Sequence, residues 1–299
     1  MKKSKITCIK HEAIDRKAWD KCIYSTPNGR IYGLSWYLDV VSPGWDALID
    51  GDYNTVMPLP WKKKYLVKYL VQPYFTQQLG IFGSNAASEV CTGKFLESIP
   101  GHFIYMHLKL NSQNTLPQPI MKKAREHDNF LLDLSGTYGR IRDSFSTNHH
   151  RNLKKASKQG LHVDGIKVEE YIDFKSRHSA VPMLPDMIKK LRGLLTANKR
   201  EKLLLPGVFD RDGTMLAAAV FFEFKATLLY LNGASSKEGK NKRAMFYLMD
   251  HVIRENAGKL QVLDFEGSDI PAVARFFAGF GASPSQYCSL KTILGYPFR

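Results

Sequence analysis

Asn148-His-His-Arg-Asn-Leu-Lys-Lys-Ala156 with Gly160-Leu161, and Asp264-Phe-Glu-Gly-Ser268 with Pro271, Phe276 and Phe280-Gly-Ala282, are the stretches on which the fold turns. The first lies in a helix predicted from Gly139 to Gln159. Ile141, Phe145, His149, Leu153 and Ala156 share one face, while Arg151 with Lys155 and Lys154 with Lys158 form basic i,i+4 rows on the other. Gly160 is suited to cap its C-terminus. The second stretch reads as a strand from Leu260 to Glu266, then a helix from Pro271 to Phe280 with proline in its first turn. Strand alternation would set Asp264 and Glu266 on one face, about 7 Å apart.

Between these blocks the periodicity predicts a helix over Leu184 to Ala197, a strand over Leu203 to Phe209, and the turn Asp210-Arg-Asp-Gly213. A hairpin of Met215 to Phe224 and Thr227 to Asn232 follows, then a helix from Arg243 to Asn256 with its apolar stripe at 245, 248, 249, 252 and 253. Gln286 to Leu294 is the last predicted strand. Upstream, helices are expected at Arg16 to Ile23, Leu34 to Val41 and Ser88 to Ile99. Strands are expected at 46–49, 55–59, 69–72, 78–82, 103–108 and 130–134. Both halves run helix, helix, a meander of strands, helix, strand, which is the outline of a duplicated α/β unit. The seam falls near Leu134-Ser-Gly-Thr-Tyr138, giving domains 1–138 and 139–299.

The 148–161 block resembles the RN-x-x-KA-x-x-x-G helix of the Fem-type peptidyltransferases, and the 264–282 block resembles their DFxGS…P…F…FG segment. Gln72-Pro-Tyr-Phe-Thr-Gln-Gln-Leu-Gly80 has a looser likeness to a strand region of the same proteins. The resemblance implies an α/β (α+β) fold of two tandem GNAT-like domains, each a mixed, mainly antiparallel sheet flanked by helices. It also implies transfer of an acyl or aminoacyl group to an amine, from acyl-CoA or aminoacyl-tRNA as co-substrate, with no tightly bound cofactor. In the Fem branch the acceptor is a cell-envelope precursor.

Acyl transfer to an amine needs a deprotonated nucleophile, a polarised carbonyl and a protonated leaving group. Asp264 or Glu266 is the candidate base, since neighbouring carboxylates raise one another's pKa; pairing with Arg275, or a cap contributed after Ser268, is the structural alternative. GNAT-like folds polarise the carbonyl with a splayed strand, here Leu228 to Ala234, whose candidate pocket side chains are Tyr230 and Asn232. Core packing is the other role open to Tyr230. After that strand, Lys237, Lys240, Lys242 and Arg243 open a helix and are candidates for donor phosphates, with Arg151, Lys154 and Lys155 as a second basic surface. GNAT acetyltransferases carry a glycine-rich turn at this place. Here Gly239 stands alone, which argues against ordinary acetyl-CoA and leaves room for tRNA. Gln72, Tyr74, Gln77 and Gln78 suit an amide-bearing acceptor, or else satisfy buried backbone at an irregular strand.

The chain of 299 residues carries 43 Lys+Arg against 28 Asp+Glu, a formal charge of +15 that favours phosphate-bearing partners. The longest apolar run, Leu216 to Phe222, ends at Glu223, far short of the ~18 residues that span a bilayer. A cytoplasmic protein is expected, with peripheral membrane contact left open. Cys8, Cys22, Cys91 and Cys288 have no metal or disulfide spacing, and adjacent His149 and His150 cannot share a helix face, so no metal site is expected. No P-loop, Rossmann glycine pattern or Ser-His-Asp order occurs. The competing reading is a duplicated scaffold without catalysis that binds RNA or another anionic partner.

Overall fold

A computed structural model describes residues 5–179, 181–197, 200–267 and 269–293. The chain divides into two compact units, Met1–His127 with Gln286–Arg299, and Asp128–Ser285. The expected border after Tyr138 thus falls inside the second unit. Two strands change units along their length: one over Arg125–Asp133 and one over Ser283–Ile293.

The first unit contains β1 (Ile6–Ile9), α1 (Arg16–Ser25), α2 (Ser35–Val41), β2 (Asp46–Asp50), β3 (Thr55–Leu59), β4 (Trp61–Lys64), β5 (Val67–Val71), β6 (Phe82–Gly83), α3 (Glu89–Glu97), β7 (Phe103–Lys109) and α4 (Gln118–Met121). Asp15 caps α1 by accepting the N–H groups of Lys17 and Ala18 at 2.9 and 3.1 Å. The buried stripe Trp19, Cys22 and Ile23 follows from the 3.6-residue period. One antiparallel sheet runs β1-β2-β3-β6. In the other, β4 pairs antiparallel with β5, β5 parallel with β7, and β7 antiparallel with the last strand, where Lys109 faces Ser289 and Tyr105 faces Ile293. The expected strand 78–82 shortens to Phe82–Gly83 and an isolated bridge between Leu79 and Leu110.

The second unit takes up β8 (Arg125–Asp133), α5 (Tyr138–Asp143), α6 (Thr147–Ala156), β9 (His162–Gly165), α7 (Val168–His178), α8 (Pro185–Ala197), β10 (Lys202–Leu204) and β11 (Pro206–Phe209). It continues with β12 (Met215–Phe224), β13 (Thr227–Ser235), α9 (Lys237–Asn241), α10 (Ala244–Asn256), β14 (Val262–Asp264) and α11 (Pro271–Ala278), before β15 (Ser283–Ile293). Its strands run β8-β14-β13-β12-β11-β9, all antiparallel except β13 with β14. This is the mixed, mainly antiparallel sheet with flanking helices that the resemblance implies. The apolar run Leu216–Phe222 lies in β12 and is fully buried throughout, the signature of a strand covered on both faces. Helices α7 and α10 both pack on β12 and β13. Among the described residues no helix is long and apolar enough to cross a membrane.

The helix expected from Gly139 to Gln159 is two helices, interrupted at 144–146. Ser146 stops it by turning its hydroxyl to the His149 N–H at 3.3 Å and donating to His149 Nδ1 at 2.9 Å. His149 is buried. Its Nε2–H donates to the Phe276 carbonyl at 2.9 Å, and its ring packs edge-on against Phe280 and Phe246. The 148–161 and 264–282 blocks are therefore joined through this imidazole. A bond from the Ser146 N–H to Gly279 O at 2.9 Å reinforces the junction.

Burial holds the His149 imidazole below its ordinary pKa of 6.5, with the Phe276 carbonyl opposing that shift. The unfolded chain therefore takes up a proton that the folded ring refuses, and stability should fall as pH drops below about 6.5, down to the depressed folded value. His107 and His102 are lowered for the same leading reason and add to the slope. Urea midpoints measured from pH 7 to 5 should show this decline. In His149→Gln, which does not titrate, the slope should flatten even though the protein is less stable at pH 7.

Candidate active site around the β13 bulge

Strand β13 departs from a regular ladder within Leu228 to Ala234, the stretch that carries the sequence candidates Tyr230 and Asn232. Val220 faces Asn232 and Phe221 faces Tyr230, so Leu231 is a bulge with no partner on β12. On its other side, β13 pairs with β14 only from Thr227 opposite Val262 to Leu229 opposite Asp264. Past that pair β14 has ended while β13 continues to Ser235. Tyr230, Leu231 and Asn232 therefore lie where the parallel ladder opens.

Tyr230 packs against Phe221 and Phe277, and burial followed by the nearby Glu266 carboxylate drives its phenol pKa well upward. Its hydroxyl lies over Gly233, 2.3 Å from where a β-carbon on that residue would sit. The Gly233 carbonyl in turn accepts a hydrogen bond from Lys175 Nζ at 2.8 Å. Burial lowers the Lys175 ammonium to a pKa of about 8. Tyr171, one turn earlier on α7, has a fully buried hydroxyl with no hydrogen-bond partner among the described residues. Such an orphan is a natural bonding point for a ligand or a water.

Neither Lys175 nor Tyr171 is among the residues expected from sequence, because α7 itself is not. The signal was present: Val168, Tyr171, Ile172 and Lys175 fall at i, i+3, i+4 and i+7, so a lysine stands in an apolar stripe.

The expected pair of carboxylates behaves differently. Asp264 closes β14 and is buried; its Oδ1 accepts from Asn129 Nδ2 at 3.0 Å and from the Glu266 N–H at 2.9 Å. That second bond wraps the chain into an Asx-type turn and holds Glu266 in the left-handed region, at φ +61°. Strand alternation therefore stops at Asp264, and the two carboxylates do not share a strand face. Glu266 is half-buried and lies near Tyr230, whereas Asp264 is committed to the backbone of Glu266. Asn232 is half-buried, Arg275 is exposed on α11, and Ser268 lies outside the described residues.

After β13, Ser236 caps α9 by accepting the Gly239 N–H at 2.9 Å. Gly239 serves contact with β12, since a β-carbon there would stand 2.0 Å from Leu216 O. Lys242 is engaged by Glu238 at 2.7 Å and Asp210 at 3.1 Å, which hold its pKa up. Lys237 and Lys240 are exposed, and Arg243, in the left-handed region at φ +62°, bonds to Lys240 O at 2.9 Å. On α6, Arg151, Lys154 and Lys155 join Lys158, Asn148 and Asn152 around a depression of about 390 Å³. A groove of about 430 Å³, lined by His251, Glu255 and Lys259 with Asp164 and Lys202, contains none of the expected residues. Among the described residues no cluster of three His, Cys, Asp or Glu side chains is set to hold a metal.

In the first unit, Gln72 donates to Thr76 O at 2.9 Å and accepts from the Lys109 N–H at 3.0 Å. Gln78 accepts from the Ser112 N–H at 2.9 Å and donates to Gln77 Oε1 at 2.8 Å. Tyr74 lies under Lys62 Nζ, 5.2 Å from its ring centre. Gln72 and Gln78 thus satisfy backbone at an irregular connection.

Solved structures share this fold. FemX superposes with a TM-score of 0.65 over 95% of this chain and 97% of its own, at 14% identity. The chain has the FemAB-type, GNAT-like fold. The same fold relates it to L-PGS from Bacillus licheniformis, with a TM-score of 0.51 over 92% and 91% of the chains at 11% identity. Saccharomyces cerevisiae N-myristoyltransferase with bound myristoyl-CoA gives 0.51 over 97% and 83% at 10% identity. No family model and no curated protein matches the sequence. The fold is thus shared at 10–14% sequence identity.

Proposed function

We propose that the protein is an N-acyltransferase that moves an acyl or aminoacyl group from a phosphate-containing donor, acyl-CoA or aminoacyl-tRNA, to an amine. The observation that carries this reading is the open ladder beside Leu231, with Tyr230, Glu266, Lys175 and Tyr171 gathered about it. Each unit is taken as one GNAT-like domain, and the second is assigned the transfer step. N-myristoyltransferase, whose name denotes acyl transfer, shares the fold and supports the reaction class; FemX and L-PGS share the fold.

In the proposed step the donor carbonyl rests against the bulge. The acceptor ammonium gives a proton to Glu266, and the free amine attacks; the new C–N bond forms as the C–O or C–S bond breaks. Tyr230, kept protonated by its surroundings, supplies a proton to the departing oxygen or sulfur and recovers one from the nitrogen of the newly formed amide. Asp264 is a positioning residue acting through the Glu266 backbone, and Lys175 fixes the bulge through the Gly233 carbonyl. Asn232 lines the pocket. Lys237, Lys240 and Arg243, with Arg151, Lys154 and Lys155, are assigned to donor phosphates. Lys242 is left to hold α9.

A panel of acetyl-CoA, longer acyl-CoAs, charged tRNA and uncharged tRNA, read by thermal shift and then by transfer to amines, tests this. A productive donor at about 100 times its Kd should stabilise the fold by about 2.7 kcal/mol. Stabilisation by thioesters alone would remove the tRNA donor. The depression on α6 favours the non-catalytic alternative to the extent that uncharged RNA binds there without transfer of any group. No response to any donor would sink the proposal.

A further inference from the structure

The β4–β5 hairpin of the first unit carries a feature that acyl transfer leaves unexplained. Its sequence is Trp61-Lys-Lys-Lys-Tyr-Leu-Val-Lys68, and Lys64 opposite Val67 leaves Tyr65 and Leu66 as the turn. Two-residue hairpin turns favour Gly, Asn or Asp, because they demand left-handed backbone. Here Tyr65 occupies that region, at φ +56°. Tyr65 and Leu66 are 87% and 89% exposed, and Val67 beside them is 38% exposed. Apart from the contact of the Tyr65 ring with Lys64, the two side chains add nothing to the packing of the turn, and Tyr65 holds an unfavourable backbone conformation there.

Around this apolar tip stand Lys62, Lys63, Lys64 and Lys68. None has a carboxylate partner among the described residues, and no Asp or Glu occurs in sequence between Asp52 and Glu89. Lys68 sits over the Trp61 ring at 3.8 Å and Lys64 lies 5.8 Å from the Tyr65 ring centre, so part of the collar rests on aromatic faces. Lysines on an outer strand commonly prevent edge-to-edge pairing. That role accounts for Lys62–Lys64 on β4 but not for an exposed Tyr-Leu-Val tip. A soluble polyanion such as single-stranded RNA would use the lysines, and a base could stack on Tyr65, but it would have no use for Leu66 and Val67. A partner that is anionic at its surface and apolar just beneath it uses both.

We infer that the β4–β5 hairpin is a membrane-docking element: Tyr65, Leu66 and Val67 enter the interfacial layer of an anionic bilayer while Lys62, Lys63, Lys64 and Lys68 meet the headgroup phosphates. Stable peripheral attachment generally takes two signals, and the hairpin supplies an apolar one and a basic one. The inference rests on the first unit alone and is independent of the transfer reaction.

Vesicle sedimentation of the full chain tests it, with phosphatidylcholine alone and with phosphatidylcholine containing about one third phosphatidylglycerol as the anionic lipid. Binding to the anionic vesicles only, weakening as salt rises, is expected. Replacing all four lysines by alanine should cost about five-fold each, several-hundredfold together. Tyr65→Ser with Leu66→Ser should lower binding by at least about ten-fold, with the salt dependence retained. Leu66→Trp, a change at an exposed turn, should shift its emission to the blue on anionic vesicles, and it reports independently of the serine pair. Equal binding to both vesicle types would overturn the inference. So would wild-type binding by the serine pair, or a Leu66→Trp emission unchanged by vesicles. The serine-pair result would assign the lysines to a soluble polyanion such as RNA.

Discussion

Tyr230→Phe is expected to slow transfer by about 10²- to 10⁴-fold, the range associated with losing a positioned general acid. The phenol ring is half-buried against the core, and desolvation followed by Glu266 drives its pKa upward, so it keeps its proton across the working range. Packing against Phe221 and Phe277 survives the substitution, and the thermal midpoint should barely move. Leaving-group dependence separates chemistry from structure. A thiolate, with an ordinary thiol pKa near 8.5, departs with little help, whereas a ribose alkoxide is far more basic. The variant should therefore lose much more with an oxygen-ester donor than with a thioester. Equal losses with both would remove Tyr230 from proton transfer.

Gly279→Ala should destabilise the second unit by about 3 kcal/mol, at the upper end for inserting one carbon into a packed site. The new β-carbon would lie 1.9 Å from His149 Cε1. The ring cannot swing away, because Ser146 holds Nδ1, Phe276 O holds Nε2, and Phe280 and Phe246 pack against it. Urea denaturation measures the loss. In a His149→Ala background the same change should cost less than about 1 kcal/mol, the non-additivity expected of residues in contact. An undiminished penalty there would show that some other neighbour is responsible.

The sequence blocks that resemble the Fem-type proteins prove to be mainly architectural. Asp264 shapes a turn, Phe265 and Phe277 stack in the core, and Phe276, Phe280 and Gly279 enclose His149. Such residues signal a fold because packing constrains them tightly, and this is why the fold was legible. The β12–β13 hairpin and α10 were equally plain, through an apolar run and an apolar stripe. The site was less so. Tyr230 and Glu266 were visible, but their surroundings depend on a bulge at Leu231 and on a left-handed Glu266, neither of which alternation predicts. Lys175 is hard to read because a half-buried lysine in an apolar stripe looks like a flaw in the pattern, and it masks the periodicity of α7. The division at Ser146 depended on which N–H group a hydroxyl accepts, a choice settled by the burial of His149.

The strands that change units have a consequence in time. Strand β7 takes β5 on one side and β15 on the other, and β15 reaches the first unit only at Gln286. On a ribosome the whole of Asp128–Ser285 is therefore made before that edge of β7 can be covered, a wait on the order of ten seconds at ordinary elongation rates. During it the nascent first unit presents an open strand edge, the kind of surface that pairs with other chains. Release of the chain before Ser289 leaves its earliest-made part with that edge of β7 bare.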